Sequence, residues 1–367
     1  MVTKWGIWAQ VGFFGFGFHF ENSLLKVSPA DILDDAEIDC VYIPLPNGLH
    51  FEWAIKALKA GKHVLLEKPS VNNTEEAKAL FQHKLLSSSN PSPPVLLEAA
   101  HYLFHPAWRK FLTYVSPGDV ESASAVLWAP RWMFADDDIR FRYELGGGAM
   151  MDLGAYTASA LVHVFGAVAE ECEDCDVGLA GYDARCDRLY RTTFRFPNGG
   201  RGEMRGDLRA PLDHLVPNIH VTHRAMVVPP AEADVEVPEG HEVRKTRKVK
   251  FVNFVQPSIF HSIIVDDDFE LRKVGDQAPH GNTTVKTWKT STTVKAYTFQ
   301  EAGIDQPGEP YWTTYRHQLE QFVNKIRGRE AKQWVGVEDS INTTKMLDMA
   351  YIKAGLPLRQ CEYKDTT

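Results

Sequence analysis

Residues 42–69 read YIPLPNGLHFEWAIKALKAGKHVLLEKP, and this stretch decides the fold. An apolar strand at 40–46 ends in prolines, and residues 51–61 have the amphipathic spacing of a helix that a glycine terminates. Residues 64–66 are a short apolar run that predicts a second buried strand. This strand ends on Glu-Lys-Pro at 67–69, which places two opposite charges at the edge of a core.

The segments on either side continue the alternation of strands and helices. Segment 4–9 predicts a first buried strand, 29–39 a short helix, 73–88 a capped helix and 95–101 a further strand. Strands that alternate with helices predict an α/β fold with a Rossmann-like, doubly wound parallel sheet. Such sheets bind ligands at the carboxyl ends of their strands, so the charges at 67–69 lie where a ligand is expected.

The pattern changes after about residue 102. Apolar and polar residues then alternate, as in antiparallel strands, at 187–196, 201–208, 214–222, 248–255 and 293–299. Helical patterns remain at 105–115, at 146–166 and near the C-terminus. We therefore predict a Rossmann-like domain over residues 1–102 and an α+β domain with a large, mostly antiparallel sheet over residues 103–367.

Composition excludes several classes of function. The chain of 367 residues has a formal net charge of −8, whereas nucleic-acid binding requires a positive field. No stretch reaches the length of a membrane span, and the Phe-rich N-terminus lacks the small-residue cleavage site of a signal peptide. We expect a cytoplasmic protein that binds neither nucleic acid nor membrane.

Five cysteines in a chain of this length do not form a disulfide framework. Cys172 and Cys175 form a C-x-x-C pair, for which a zinc or redox role is the minor alternative. No second pair completes a zinc site, so we interpret both as reduced thiols in a surface loop and predict no metal. The aspartate triplets at 136–138 and 266–268 are interpreted as solvated turns.

Three stretches together resemble one known family. They are the segment at 42–69 with its Glu-Lys-Pro, DDDIRFRYELGGGAMMDLGAY at 136–156, and the helical C-terminal segment that starts PYWTTYRHQLEQF at 310. Over residues 37–359 the chain is similar to NAD(P)-dependent oxidoreductases typified by glucose–fructose oxidoreductase and inositol dehydrogenase, the Gfo/Idh/MocA family. Within that family it looks most like the branch of NADP-dependent D-xylose dehydrogenases and dimeric dihydrodiol dehydrogenases.

The resemblance implies catalytic roles for Lys68, Tyr156 and Asp152. Lys68 lies at a strand end, where it can hydrogen-bond the oxygen of a sugar hydroxyl as negative charge develops. The sugar-dehydrogenase branch has Tyr at the position of Tyr156, the candidate proton acceptor, and we expect Lys68 to lower its pKa. Asp152, four residues earlier on the same helix face, is expected to position Lys68 or the substrate. The alternatives are a rim salt bridge between Glu67 and Lys68, a capping Asp152 and a core Tyr156.

The same resemblance implies NADP as cofactor, with NAD as the alternative. The residues implied in cofactor binding are Pro46, Asn47, His50, Glu67, Lys68 and Arg140. Arg140 precedes the Gly-rich turn at residues 146–148, and its alternative interpretation is an ordinary surface cation. His101, at the domain junction, is interpreted equally well as a packed histidine or as a participant.

The N-terminal segment departs from the family pattern, in which a strand is followed by G-x-G-x-x-G and a helix. In QVGFFGFGFHF, Gly15 and Gly17 supply the first two glycines, but position 20 is Phe. Only 30 residues separate Ala9 from Cys40, about the length of a single βαβ unit where the family has more. We therefore expect an incomplete or divergent N-terminal segment and weakened cofactor binding.

These observations predict an oxidoreductase that transfers hydride between NADP and the CH–OH group of a sugar, with D-xylose as the leading substrate. The alternative is a sugar-binding or regulatory relative that has lost its cofactor and its activity. A homodimer through the C-terminal sheet is expected, because the helices predicted there are too few to cover both faces of the sheet.

Overall fold

The structure, a computed structural model, describes residues 5–7, 29–87, 89–90, 92–211, 216–274 and 283–365. These residues form a four-stranded parallel sheet followed by a nine-stranded, mostly antiparallel sheet. The predicted fold class, a Rossmann-like parallel sheet combined with a large antiparallel sheet, is confirmed.

The parallel sheet has the order β1-β2-β3-β4 in the part of the chain that is described. Its strands are β1 (Trp5–Ile7), β2 (Cys40–Ile43), β3 (His63–Leu66) and β4 (Leu96–Glu98). The helices between them are α1 (Pro29–Asp34), α2 (His50–Lys59) and α3 (Thr74–Phe81). Aliphatic side chains of β2, α2 and β3, such as Ile43, Ile55 and Val64, form a buried core. Because the strands are parallel, their carboxyl ends meet at one edge of the sheet.

The second sheet has the order β13-β12-β11-β9-β5-β8-β7-β6, with β10 paired to β11. Its strands are β5 (Val120–Pro130), β6 (Glu171–Leu179), β7 (Asp187–Arg195), β8 (Arg201–Ala210), β9 (Asn218–His223), β10 (Met226–Val228), β11 (His241–Val252), β12 (Ser262–Lys273) and β13 (Thr283–Val294). Among these pairs β5 and β8 run parallel and the others antiparallel.

Further helices cover this sheet and connect it to the first one. They are α4 (Pro106–Leu112), α5 (Ala155–Phe165), α6 (Pro230–Ala233), α7 (Thr314–Ile326) and α8 (Val337–Lys353). On α8, Ile341 packs into the core of the parallel sheet and Leu347 into the core of the large sheet. Helix α8 therefore packs against both cores. The domain boundary that we predicted at residue 102 stays a prediction. Among the described residues, none of the helices combines the length and the apolar character needed to cross a bilayer.

Two predictions about the second sheet are wrong. The strand predicted at 293–299 is instead β13, which ends at Val294. Its sequence, TTVKTWKTSTTV, lacks an apolar face because most of β13 is exposed at the edge of the sheet. Cys172 and Cys175 lie on β6 rather than in a loop, and Cys172 is buried.

The triplet at 266–268 is also not a turn. It lies within β12, opposite the basic stretch of β11. Asp267 accepts a hydrogen bond from Arg247 Nε at 2.8 Å, and Asp268 accepts one from Lys248 Nζ at 2.8 Å. Opposite charges that face each other across a strand pair stabilise the sheet, which explains the alternation of acids and bases there.

Candidate active site

The two charges at the end of β3 have different partners. Glu67 accepts a hydrogen bond from the Tyr42 hydroxyl at 2.7 Å, and its other oxygen accepts one from the backbone N–H of Lys68 at 3.2 Å. Lys68 Nζ instead donates to Asp152, at 2.7 Å to Oδ1 and 3.0 Å to the backbone oxygen. The ion pair of Lys68 is thus with Asp152, 84 residues further along the chain, rather than with its neighbour Glu67.

Asp152 holds two cations at once. Its Oδ1 binds Lys68, and its Oδ2 accepts a hydrogen bond from Arg140 Nε at 2.8 Å. Burial acts to raise the pKa of Asp152, but the positive charges of Lys68 and Arg140 outweigh it and hold this pKa below its usual range. The carboxylate is therefore ionised at neutral pH and pairs with the Lys68 ammonium, while its predicted role in positioning Lys68 or the substrate stays a prediction.

An irregular piece of helix carries Asp152. Residues Met150–Gly154 form a π-helical turn that continues directly into α5, where Tyr156 lies. Such turns are often found at functional sites. The side chain of Lys68 reaches both residues, since its Nζ lies 4.6 Å from the centroid of the Tyr156 ring.

The expectation that Lys68 lowers the pKa of Tyr156 is wrong. Burial raises the pKa of this phenol well above its ordinary value, and the neighbouring Tyr315 and Glu67 raise it further. Tyr156 therefore keeps its proton at neutral pH. The sequence could not show this, because β3, α5 and α7 bring these residues together from distant parts of the chain.

His101 is a site residue whose role the sequence left undecided. It lies on the 3₁₀ turn His101–Phe104 that follows β4, and its ring is fully buried. Its Nε2 lies 3.0 Å from the Tyr156 hydroxyl oxygen, and its ring stacks on Tyr315 with 4.2 Å between centroids. Its place just after the carboxyl end of a parallel strand is the sequence signal that could have identified it as a site residue.

Two of the residues predicted to bind the cofactor, Asn47 and His50, connect the loops that follow the carboxyl ends of the parallel strands. Asn47 Nδ2 donates to the backbone oxygen of Gly146 at 3.1 Å, which ties the loop after β2 to the Gly-rich turn. His50 is buried, and its ring nitrogens lie 2.8 Å from the Pro69 oxygen and 2.7 Å from the Leu45 oxygen. The ring of His50 thus contacts backbone oxygens of the loops after β2 and β3. Pro46 and Glu67 are half-buried.

A buried ion pair that the sequence did not reveal holds the Gly-rich turn. Arg359 Nε donates to the Gly147 oxygen at 2.9 Å, and Arg359 Nη2 lies 3.3 Å from Asp187 Oδ1. Asp187 Oδ2 accepts a hydrogen bond from the backbone N–H of Met150 at 2.6 Å. At Gly148, φ is +137° and an added Cβ would lie 2.4 Å from Asp187 Oδ1, so only glycine fits there.

The triplet at 136–138 lies in a turn, as predicted, and each of its aspartates pairs with a different arginine. The pairs are Asp136 with Arg209, Asp137 with Arg142, and Asp138 with Arg140. Arg140 donates to Asp138 Oδ1 at 3.0 Å while it also binds Asp152. Its positive charge is therefore shared by two carboxylates.

A small cavity lies beside Lys68 and Tyr156. Its walls are Lys68, Glu98, Ala100, Tyr102, Ala155, Tyr156, Ser159, Val335 and Thr343. Within it the Tyr102 hydroxyl donates to Ser159 Oγ at 3.0 Å, and burial raises the pKa of Glu98. The site thus offers an amine donor at a fixed position, a protonated phenol and a buried imidazole, which suits proton transfer at an alcohol or a carbonyl group.

Among the residues that the structure describes, the arrangement also fits a nicotinamide dinucleotide. Polar side chains follow β2, β3 and β4 at the carboxyl edge of the parallel sheet, where such cofactors bind. The segment at 8–28, on which the prediction of an incomplete phosphate-binding turn rests, lies outside the described residues.

Comparisons with known proteins agree with this geometry. Residues 14–84 match the family model described as "Oxidoreductase family, NAD-binding Rossmann fold", and residues 116–227 match the model of the "GFO/IDH/MocA C-terminal domain". Among solved structures, levoglucosan dehydrogenase in complex with NADH and levoglucosan superposes with a TM-score of 0.62 at 19% identity over 92% of this chain and 82% of that chain. A 3-ketoreductase from Actinomadura kijaniata in complex with NADP and TDP-benzene gives a TM-score of 0.58 at 19% identity over 90% and 82%. At these identities the likeness shows the fold.

Curated relatives match over shorter stretches. The chain is 38% identical over 162 residues to a dTDP-3,4-didehydro-2,6-dideoxy-alpha-D-glucose 3-reductase of Saccharopolyspora spinosa, which covers 41% of this chain and 46% of that protein. It is 34% identical over 179 residues to D-xylose 1-dehydrogenase (NADP(+)) 2 of Haloferax volcanii, covering 45% and 53%. The chain thus spans about half the length of the curated relatives it matches. With matches to both the N-terminal and the C-terminal family models, the chain belongs to the GFO/IDH/MocA family of oxidoreductases with an NAD-binding Rossmann fold.

Proposed function

We propose that this protein is a dehydrogenase that oxidises the CH–OH group of a sugar with NADP⁺, and that D-xylose is its substrate. The observation that carries the proposal is the contact of Lys68 with Asp152 beside Tyr156, at the carboxyl ends of the strands of a Rossmann sheet. Family membership supports the class of reaction, and the similarity to the D-xylose dehydrogenase of Haloferax volcanii supports the substrate.

In this proposal Lys68 and Tyr156 contact the reacting oxygen, and Asp152 positions Lys68. A lysine ammonium has three N–H groups, and Asp152 accepts two of those of Lys68, which leaves one for the substrate oxygen. The hydroxyl oxygen of Tyr156 takes up the proton that leaves the substrate hydroxyl. The bound cofactor supplies the hydride acceptor.

We assign Pro46, Asn47, His50, Glu67, Lys68 and Arg140 to the cofactor side of the site. Of these, His50 acts through the two loops that its ring joins. Asn47 acts through the Gly-rich turn. NADP is the proposed cofactor and NAD the alternative, as neighbours of the same fold were solved with either NADP or NADH.

An uncharged sugar fits the charges of the site better than the nucleotide-linked sugar on which the Saccharopolyspora relative acts. A diphosphate that is not held by a Gly-rich turn at a helix N-terminus needs side-chain cations that are free to bind it. Lys68 and Arg140 are both paired with Asp152, and Arg140 is paired with Asp138 as well. Their positive charges are therefore already compensated.

The test is turnover of the purified protein with a panel of aldoses, inositols and dTDP-sugars, each with NADP⁺ and with NAD⁺. We expect reduction of NADP⁺ with D-xylose and none with a dTDP-sugar. Failure of every CH–OH substrate with both cofactors, by a folded protein that binds NADP(H), would contradict the proposal.

The second candidate is a sugar-binding or regulatory relative without activity. It is favoured by QVGFFGFGFHF, which lacks the last glycine of the phosphate-binding turn. The nine tryptophans allow a fluorescence titration of the protein with NADPH and with sugars. Binding of a sugar without binding of cofactor would support this candidate, and tight cofactor binding would reject it.

We also propose a cytoplasmic homodimer. All five cysteines are free, as in a reducing compartment. The pairing surface would be the face of the large sheet that carries side chains such as Arg191, Glu203, Lys248 and Asp268, which remain partly to mostly exposed in the single chain. We expect light scattering at micromolar concentration to give twice the mass of the chain; the mass of a single chain would reject the dimer.

A further inference from the structure

We infer that His101 takes up the proton that leaves the substrate hydroxyl, with Tyr156 as the relay between them. The inference rests on the proposed function and deepens it, because it names the group that completes proton transfer in the same site. His101 contacts Tyr156 rather than the reacting oxygen, so it is a positioning and proton-accepting residue behind the catalytic phenol.

The first step of the argument is that Lys68 is a donor in this site. Its Nζ donates to Asp152 Oδ1 at 2.7 Å and to the Asp152 backbone oxygen at 3.0 Å. A lysine held in this way offers N–H groups and no lone pair. It can stabilise negative charge on the substrate oxygen, but it cannot remove the proton.

The second step is that Tyr156 keeps its own proton. Burial, Tyr315 and Glu67 raise the pKa of its phenol well above the ordinary value. A protonated phenol accepts the proton of another hydroxyl only if it passes its own proton on at the same time. Oxidation of an alcohol in this site therefore requires an acceptor in contact with the Tyr156 oxygen.

The third step is that His101 is placed to be that acceptor. Its Nε2 lies 3.0 Å from the Tyr156 oxygen, within hydrogen-bond distance. Stacking on Tyr315, with an interplanar angle of 27°, fixes the orientation of the ring. The ring is fully buried, and its other nitrogen, Nδ1, has no hydrogen-bond partner among the described residues. Nε2 is thus placed to accept the proton of the Tyr156 hydroxyl.

The proton transfer balances as follows. The carbon–hydrogen bond of the alcohol breaks with its electron pair, which leaves as hydride to NADP⁺, and the O–H proton of the alcohol passes to the Tyr156 oxygen. The Tyr156 proton passes to His101 Nε2. The products are the carbonyl compound, NADPH, neutral Tyr156 and protonated His101. Burial and the positive charge of Lys68 lower the pKa of His101 to about 3, so the protonated ring is only a transient product and His101 is neutral in the resting site.

The test compares His101→Gln and His101→Phe with the wild type and with His163→Gln as control. Glutamine keeps a hydrogen-bonding group near the Tyr156 hydroxyl but cannot take up a proton, and phenylalanine keeps the ring on Tyr315. His163 lies on α5, about two helical turns beyond Tyr156, and its Nδ1 contacts the backbone oxygen of Ser159. We expect both His101 variants to lose about 10²-fold or more in kcat, with unchanged KM and NADPH affinity, as for loss of a proton-transfer group. The control should keep its kcat.

A second measurement does not depend on turnover. In ¹⁵N NMR spectra at neutral pH, His101 should be neutral with its proton on Nδ1, and Tyr156→Phe should shift the Nε2 resonance. A protonated Nε2, or a kcat of His101→Gln near that of the wild type, would overturn the inference. A wild-type protein that oxidises no alcohol would overturn the proposed function, while the NMR spectra would still decide whether His101 accepts the hydrogen bond of Tyr156.

Discussion

At the scale of single residues, the partners of Lys68 and Tyr156 decide what each can do. Lys68 and Glu67 are neighbours in sequence, yet Lys68 is ion-paired with Asp152 and Glu67 binds the Tyr42 hydroxyl. Lys68 is therefore fixed as a hydrogen-bond donor, and the raised pKa of Tyr156 makes that phenol a proton carrier that depends on its own partner.

The first prediction is that Lys68→Met and Tyr156→Phe each lower kcat by about 10²–10⁴-fold, the usual range for acid–base groups. Both side chains lie at a partly open rim, so the fold should persist, and thermal unfolding checks this. Lys78→Met removes an exposed lysine that pairs with Glu75 and serves as control. If either site variant turns over like the control, its catalytic assignment is wrong.

At the scale of elements, close packing between two loops places the site. The 3₁₀ turn Asn47–Leu49 after β2 lies against the Gly-rich turn that precedes Asp152. A Cβ added at Gly48 would lie 2.8 Å from the Glu144 oxygen and 3.0 Å from the Leu145 carbonyl carbon. These are backbone atoms, so the loops would have to separate to admit it.

The second prediction compares two glycines in similar 3₁₀ turns. Gly48→Ala should lower the free energy of unfolding by about 1–3 kcal/mol, the usual cost of overpacking. It should also lower kcat, because the loop that it displaces leads to Asp152. Gly118→Ala, where an added Cβ meets nothing within 4 Å, should be neutral or stabilise the fold by up to about 1 kcal/mol. Urea unfolding of both variants decides, and equal stabilities would show that Gly48 is not packed as described.

At the scale of the whole molecule, three histidines from separate segments of the chain are buried side by side. The ring of His317 on α7 lies 5.4 Å from that of His105, which in turn lies 5.8 Å from that of His261. His317 is almost fully buried, and neither of its ring nitrogens has a hydrogen-bond partner among the described residues. A positive charge on this ring would therefore be costly.

The third prediction is that acid destabilises the protein partly through His317. Burial and Arg316 lower the pKa of His317 to about 4 in the folded state. In the unfolded chain the pKa of His317 is about 6.5, so between pH 6.5 and 4 the unfolded state binds a proton that the folded state does not. The free energy of unfolding therefore keeps its full value above pH 6.5 and decreases as the pH falls from about 6.5 towards 4.

The measurement is urea unfolding of the wild type and of His317→Phe at pH 8 and pH 4.5. The difference at pH 8 reports the change in packing, since the histidine is neutral in both states there. Between pH 8 and pH 4.5 the wild type should lose about 2–3 kcal/mol more than the variant. Equal losses would show that His317 does not titrate on unfolding.

The sequence by itself determined the elements that depend on nearby residues. Strand and helix periodicity over 42–69 predicted β2, α2 and β3, and the carboxyl-edge rule placed Lys68 at the ligand rim. Periodicity is a local property, so it can be read within one segment. Periodicity did not predict β13, because a strand that is exposed at the edge of a sheet has no buried face and therefore no regular alternation of apolar and polar residues.

Only the tertiary structure decided what the side chains of the site contact. Asp152 is 84 residues from Lys68, and His101 is 55 residues from Tyr156, yet each pair lies within hydrogen-bond distance. The raised pKa of Tyr156 depends on burial and on charges from β3 and α7, and the Gly-rich turn depends on Arg359 near the C-terminus. Burial and electrostatic interaction depend on distance in space rather than along the chain, and so they are fixed only when the two sheets pack together.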